Sequence, residues 1–274
     1  MSLVMNFGQS SFPLRRLWIA AVAAFTFEKA HSQIQVDTEM VILVDAQTYS
    51  QSDFNLILEG VAQSFESQNF INAVAAGQYG KIAASVVLFN SNGGETVGVP
   101  WMELSSANDL QGFASTVRGM SNPTPWGNAS YASAITTGAA QIASSAFAGT
   151  VRQLSIIDDG TGFWAVQPAN TQTARDTALA SSVDVINALV FDVQYQVATV
   201  ENYYNNNVVS GGPNGTVTAV ASPQGGAKPA SDTQSILLGI SNTLAGPTVT
   251  AVPEPSSAAL AILALSWGML RRRR

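Results

Sequence analysis

The chain has 274 residues, of which 46% are hydrophobic and only 11% charged, and it carries a formal net charge of −6. That length suits one large domain or two small ones, at roughly 100–200 residues each. There is no cysteine, which excludes disulfides, thiolate metal sites and a cysteine nucleophile.

The net charge hides an asymmetry. Arg15, Arg16 and Arg271 to Arg274 lie at the two ends, whereas the stretch from Gln33 to Val252 holds sixteen acidic residues against five basic ones, a surplus of eleven negative charges. Such a body repels nucleic acid, whose binding needs clustered Lys and Arg. With so few charges, solubility rests on Ser, Thr, Asn, Gln and Gly, a composition that favours a secreted or surface protein. His31 is the one histidine in the sequence and sits in the leader region, so histidine-dependent chemistry is unavailable to the body.

In chain order, Arg15-Arg16 followed by the apolar run Leu17 to Phe27 has the form of a secretory signal peptide, with cleavage after Ala30-His31-Ser32. Residues 1–32 are therefore read as a leader, with an uncleaved anchor as the competing reading. Val41-Ile42-Leu43-Val44 is an unbroken, mostly β-branched apolar run, which is the signature of a strand buried on both faces. Asp45 closes it, and a helix follows from Ser52, placing Asp45 at the carboxyl end of a central strand. In open α/β sheets ligands bind at that edge. The alternative role for Asp45 is to cap the next turn.

The helix that Ser52 is expected to cap runs to about Gly77, with Phe54, Ile57, Leu58, Val61, Ala62 and Phe65 on its buried face. Ile82 to Phe89 and Glu95 to Trp101 are strands joined by a short Asn/Ser/Gly turn, so they pair antiparallel. A helix from Ser106 to Gly119 buries Leu110, Phe113, Ala114 and Val117. The loop Ser121 to Gly127 holds two prolines. An alanine-rich helix extends from Asn128 to about Phe147, and Gln153 to Ile157 is a strand ending in Asp158-Asp159-Gly160. Thr171 to Ser182 is helical, Asp184 to Val190 a strand, Val197 to Asn207 a short helix, Thr216 to Ala221 a strand, and Ser231 to Leu244 the last helix of the body. This order gives a doubly wound, mostly parallel α/β sheet with one antiparallel edge strand, flanked by hydrophobic helices at the chain ends. Gly160-Thr161-Gly162-Phe163-Trp164-Ala165 fits a dinucleotide-loop pattern, but its bulky aromatics, the preceding acids and the interrupting Pro168 argue against a phosphate cradle.

At the far end, 246–251 is a linker, and Val252-Pro253-Glu254-Pro255 precedes the apolar run Ser256 to Leu270 and four arginines. Fifteen helical residues span roughly 22 Å, short of a hydrocarbon core of about 30 Å, so the arginines must snorkel or the bilayer thin. The basic end stays cytoplasmic and the body lies outside the inner membrane. Residues 252–274 closely resemble the PEP-CTERM sorting signal of Gram-negative bacteria; an ordinary tail anchor is the plainer reading. The resemblance implies that Pro253, Glu254 and Pro255 are recognised by an exosortase-type processing enzyme. It also implies a precursor anchored in the inner membrane and a mature protein at the cell surface or in the extracellular matrix.

Between residues 39 and 245 the chain resembles a von Willebrand factor A domain, and most of all the bacterial family catalogued as domain of unknown function 1194. The carriers are Val41 to Asp45, Val99-Pro100-Trp101, Thr124 with Gly127, Asp159-Gly160, and Tyr203-Tyr204 through Asn207-Val208 to Gly211-Gly212-Pro213. The resemblance implies a metal-ion-dependent adhesion site holding Mg²⁺ or another divalent cation at Asp45, Thr124 and Asp159. Where the family places serines two and four positions after the first aspartate, this chain has Gln47 and Tyr49, so the site is degenerate or vestigial. The implied activity is binding of a partner protein or extracellular polymer without catalysis. A metal-assisted hydrolase built on Asp45, Asp158 and Asp159, or a purely structural matrix role, are the alternatives.

Overall fold

The computed structural model describes residues 33–46, 51–90, 94–122, 130–158, 168–191, 197–209 and 215–220. The chain divides into two units, Met1–Gln33 and Ile34–Arg274, and the description concerns the second apart from Gln33 itself. The leader, the helix expected at 231–244, the linker and the sorting segment fall outside the described residues. No helix among those residues is long and apolar enough to cross a membrane.

Six strands form one sheet: β1 (Ile34–Asp45), β2 (Ile82–Phe89), β3 (Thr96–Leu104), β4 (Phe147–Asp158), β5 (Val185–Phe191) and β6 (Val217–Val220). Their order is β3-β2-β1-β4-β5-β6. Every pairing is parallel except β2 with β3, so the antiparallel strand lies at an edge. Six helices are described: α1 (Gln51–Glu66), α2 (Gln68–Ala75), α3 (Ala107–Arg118), α4 (Tyr131–Ala143), α5 (Pro168–Ser181) and α6 (Val197–Asn207).

The unbroken apolar run in β1 is explained by two cores. Met40, Ile42 and Val44 join the core under α1 to α3, while Val41 and Leu43 join the one under α4 to α6. Period-two alternation thus feeds both layers from one strand. All six residues expected on the buried face of α1, and all four of α3, are buried. Ser106 caps α3 through a reciprocal capping box with Asp109.

Four local expectations are corrected. The segment from Gln51 to Ala75 is two helices, because Ser67 turns extended and its side chain accepts from Phe70 N, starting α2. α1 begins at Gln51, so Ser52 lies in its first turn and does not cap it. The alanine-rich helix stops at Ala143, and Phe147 opens β4 opposite Ile34. Pro168 is the first residue of α5, where its missing N–H costs nothing, and so it starts a helix where the sequence suggested an interruption.

β1 and β4 are therefore both longer at their amino ends than the apolar runs suggested. That extension is held by Glu39, buried in the middle of β1 opposite Arg152, which accepts from Ser145 Oγ and from Gly149 N at 3.0 Å. A Cβ on Gly149 would meet Glu39 N at 2.7 Å, so the close approach needs glycine. On the other side Gly138 lets α4 sit on the sheet, since a Cβ there would meet Leu154 Cδ2 at 2.9 Å.

At the periphery Arg118 of α3 reaches α1, donating to Glu59 at 2.8 Å and to Glu66 at 2.6 Å. Hydrogen bonds from Arg118 hold both glutamates below their ordinary value of 4.5 against a smaller opposing effect of burial. About a third or more of each side chain is exposed, so screening limits the cluster to about 1 kcal/mol or less. Depressed carboxylate values make this stability complete above pH 4.5 and lost as pH falls through the lower folded-state values. Arg118→Ala should lower the melting temperature slightly near neutrality, with the gap to the parent closing in acid. Thermal melts across that range check it, and a gap that widens below pH 4.5 contradicts the assignment.

Candidate functional site

The carboxyl edge of the two central strands carries the site. Val44 of β1 pairs with Ile157 of β4, so the residues that follow, Asp45 and Asp158, stand side by side on adjacent parallel strands. Asp45 also pairs with Phe89 of β2, and Asp158 with Val190 of β5. Alternation from Leu43 and Ile156 turns both carboxylates toward the layer of α4 and α6. Both are wholly buried.

An ionised carboxylate buried in an apolar layer is costly unless hydrogen-bonded. At Asp158 the donors are phenols. Tyr131, the first residue of α4, and Tyr204, on α6, both donate their hydroxyl to Oδ2 of Asp158. The two rings meet edge-on with centroids 5.4 Å apart, and Phe89 flanks Tyr131 at 6.2 Å. Burial, and after it the charge of Asp158, pushes both phenols well above their usual value, and the charge of Asp45 adds to the effect at Tyr131. Tyr203, half-buried beside them, is raised as well, mainly by burial.

The end of α6 is fastened by two polar contacts to α5 and one within the helix. Arg175 Nη1 donates to Asn206 O at 2.7 Å, Gln172 Nε2 donates to Asn207 Oδ1 at 2.9 Å, and Asn207 Nδ2 donates to Tyr203 O at 2.7 Å. The segment from Tyr203 to Asn207 therefore does two jobs. Tyr204 serves the buried carboxylate, and Asn207 ties the helix end to its neighbour.

Of the site residues named from sequence, Asp45 stands at the carboxyl end of β1. Thr124 and Asp159 lie outside the described residues, as do Gln47 and Tyr49, and Pro253, Glu254 and Pro255. What the structure brings together is Asp45 and Asp158, with Tyr131 and Tyr204. Tyr131 went unrecognised in the sequence, and its only signal was a large aromatic directly after the capping Ser130 in a helix rich in small residues. Among the described residues, no three of His, Cys, Asp or Glu are grouped closely enough to hold a metal ion by themselves.

The fold recurs in known structures. Proximal thread matrix protein 1 from the mussel byssus matches at 14% identity over 77% of this chain and 49% of that one, with a TM-score of 0.52. The same protein with a zinc-occupied MIDAS motif matches at 15% identity over 77% and 49%, with a TM-score of 0.51. A von Willebrand factor type A structure from Catenulispora acidiphila gives 11% identity over 76% and 43%, with a TM-score of 0.48. This chain spans about half the length of the matrix-protein structures, and at such identities the likeness is one of fold. No curated protein matches the sequence. The family model described as "Protein of unknown function (DUF1194)" matches residues 35–225, the greater part of the sequence, and the chain belongs to that family.

Proposed function

We propose that this chain is an exported cell-surface or matrix protein whose von Willebrand A-like domain binds a protein or polymer partner at the carboxyl rim of its sheet. In this reading a divalent cation such as Mg²⁺ is held at the rim by Asp45, Thr124 and Asp159. The observation that carries it is the position of Asp45, a wholly buried carboxylate ending the central strand of a doubly wound sheet. Zinc in the MIDAS motif of the byssus matrix protein, which shares the fold, supports a cation at that edge.

The donor chemistry suits a hard cation, since two carboxylates and a hydroxyl are all oxygen ligands. With Gln47 and Tyr49 in place of two serines, fewer protein ligands are on offer and water completes the shell. Oδ2 of Asp158 already accepts two phenols, which favours Asp159 as the second carboxylate ligand. Binding is favoured over catalysis because the body lacks both cysteine and histidine, and with them the usual activators of a nucleophile.

Export is supported by the address at each end: a basic, then apolar leader over 1–32, and Pro253-Glu254-Pro255 with its apolar run and arginines over 252–274. The domain between them, 39–245, is joined to the second by the linker 246–251. An exosortase-type enzyme acts on an inner-membrane precursor and frees the body to the surface or matrix.

Calorimetric titration with Mg²⁺ and Mn²⁺ should give heat and raise the melting temperature of the parent but not of Asp45→Ala. Silence in the parent ends the cation-dependent reading. Intact mass of the protein recovered from its native host should show loss of both the leader and the residues after about Pro255, whereas a full-length mass removes the processing account.

A further inference from the structure

Two helices from separate parts of the chain send a hydroxyl to the same atom. Tyr131 opens α4, Tyr204 lies on α6, and both donate to Oδ2 of Asp158 at the last position of β4. Oδ2 of Asp158 is therefore engaged by both hydroxyls at once. The tyrosines are wholly buried and packed edge-on, which leaves each hydroxyl no solvent to turn toward.

A ligand to a cation at this rim would need an oxygen free to approach it. Oδ2 of Asp158 is engaged instead by Tyr131 and Tyr204, while Asp45 stands beside it on β1, facing the same layer. We propose that Tyr131, Asp158 and Tyr204 form a clamp with a positional role. It locks the end of β4 to two helices and so fixes the last position of that strand beside Asp45. Tyr131 and Tyr204 are then positioning residues of the rim, and Asp158 is their anchor and not a ligand. The cation part of this inference rests on the function proposed above, whereas the clamp itself does not.

The test uses the full chain as Tyr131→Phe, Tyr204→Phe, the double variant and Asp158→Asn, with Phe113→Leu as a control destabilised in the opposite core layer. Mn²⁺ affinity should fall about 10–100-fold in the double variant, the range seen when outer-shell partners of a metal are removed. It should stay at the parent value in Phe113→Leu despite a comparable drop in melting temperature. Asp158→Asn keeps an oxygen for both hydroxyls and should retain measurable binding, unlike Asp45→Ala. Unchanged affinity in the double variant, equal loss in Phe113→Leu, or loss in Asp158→Asn as complete as in Asp45→Ala overturns the positional role. If the parent binds no Mn²⁺, the cation reading fails and amide exchange decides the clamp. Exchange at Ile156 to Asp158 should then quicken by about tenfold in the double variant while Met40 and Ala84 keep their rates; uniform or absent quickening overturns it.

Discussion

The parallel register between β1 and β4 is the constraint from which the rest of the site follows. It runs from Ile34 opposite Phe147 to Val44 opposite Ile157, and it leaves no freedom in how the two strands end. A slip of one residue would turn every side chain to the other face. Held in register, the strands deliver Asp45 and Asp158 side by side into a layer of aromatic and apolar groups. Burial of that kind is tolerated only where donors are waiting, and α4 and α6 bring two of them to Asp158.

The two faces of the sheet divide the labour. Under α1 to α3 the core is built of large apolar side chains, among them Phe54, Phe65 and Phe113, with the Arg118 cluster at its outer edge. Under α4 to α6, α4 is rich in small residues, and Gly138 sits against Leu43 and Leu154. Close approach along α4 carries its first residue, Tyr131, down to the carboxylates. The tyrosine–aspartate cluster thus lies in the layer of α4 to α6.

The sheet was legible because its signals are local. Four apolar, mostly β-branched residues before an aspartate mark a central strand, and Leu110, Phe113 and Val117 fall at helical spacing, so the strands, the antiparallel edge and the doubly wound order could all be read from pattern. Strand lengths could not, because Ile34 and Phe147 are paired through partners more than a hundred residues apart and only Glu39, itself polar, marks the extension. The break at Ser67 was hidden by apolar periodicity that continues through both helices. At the site, sequence placed Asp45 at the carboxyl end of β1, but it cast Asp158 only as part of an alternative hydrolytic centre and left out Tyr131. The bond between them spans 27 positions and has no motif to announce it.

The family and the fold are established by the match over residues 35–225 and by the sheet order; the use of the rim as a cation-dependent binding edge is the central proposal. Diffraction at the manganese absorption edge, from crystals of the full chain grown with Mn²⁺, addresses it most directly. The account predicts an anomalous peak within about 2.0–2.6 Å of an Asp45 carboxylate oxygen at the carboxyl end of β1. A manganese peak bonded elsewhere on the molecule, with none at Asp45, would contradict it.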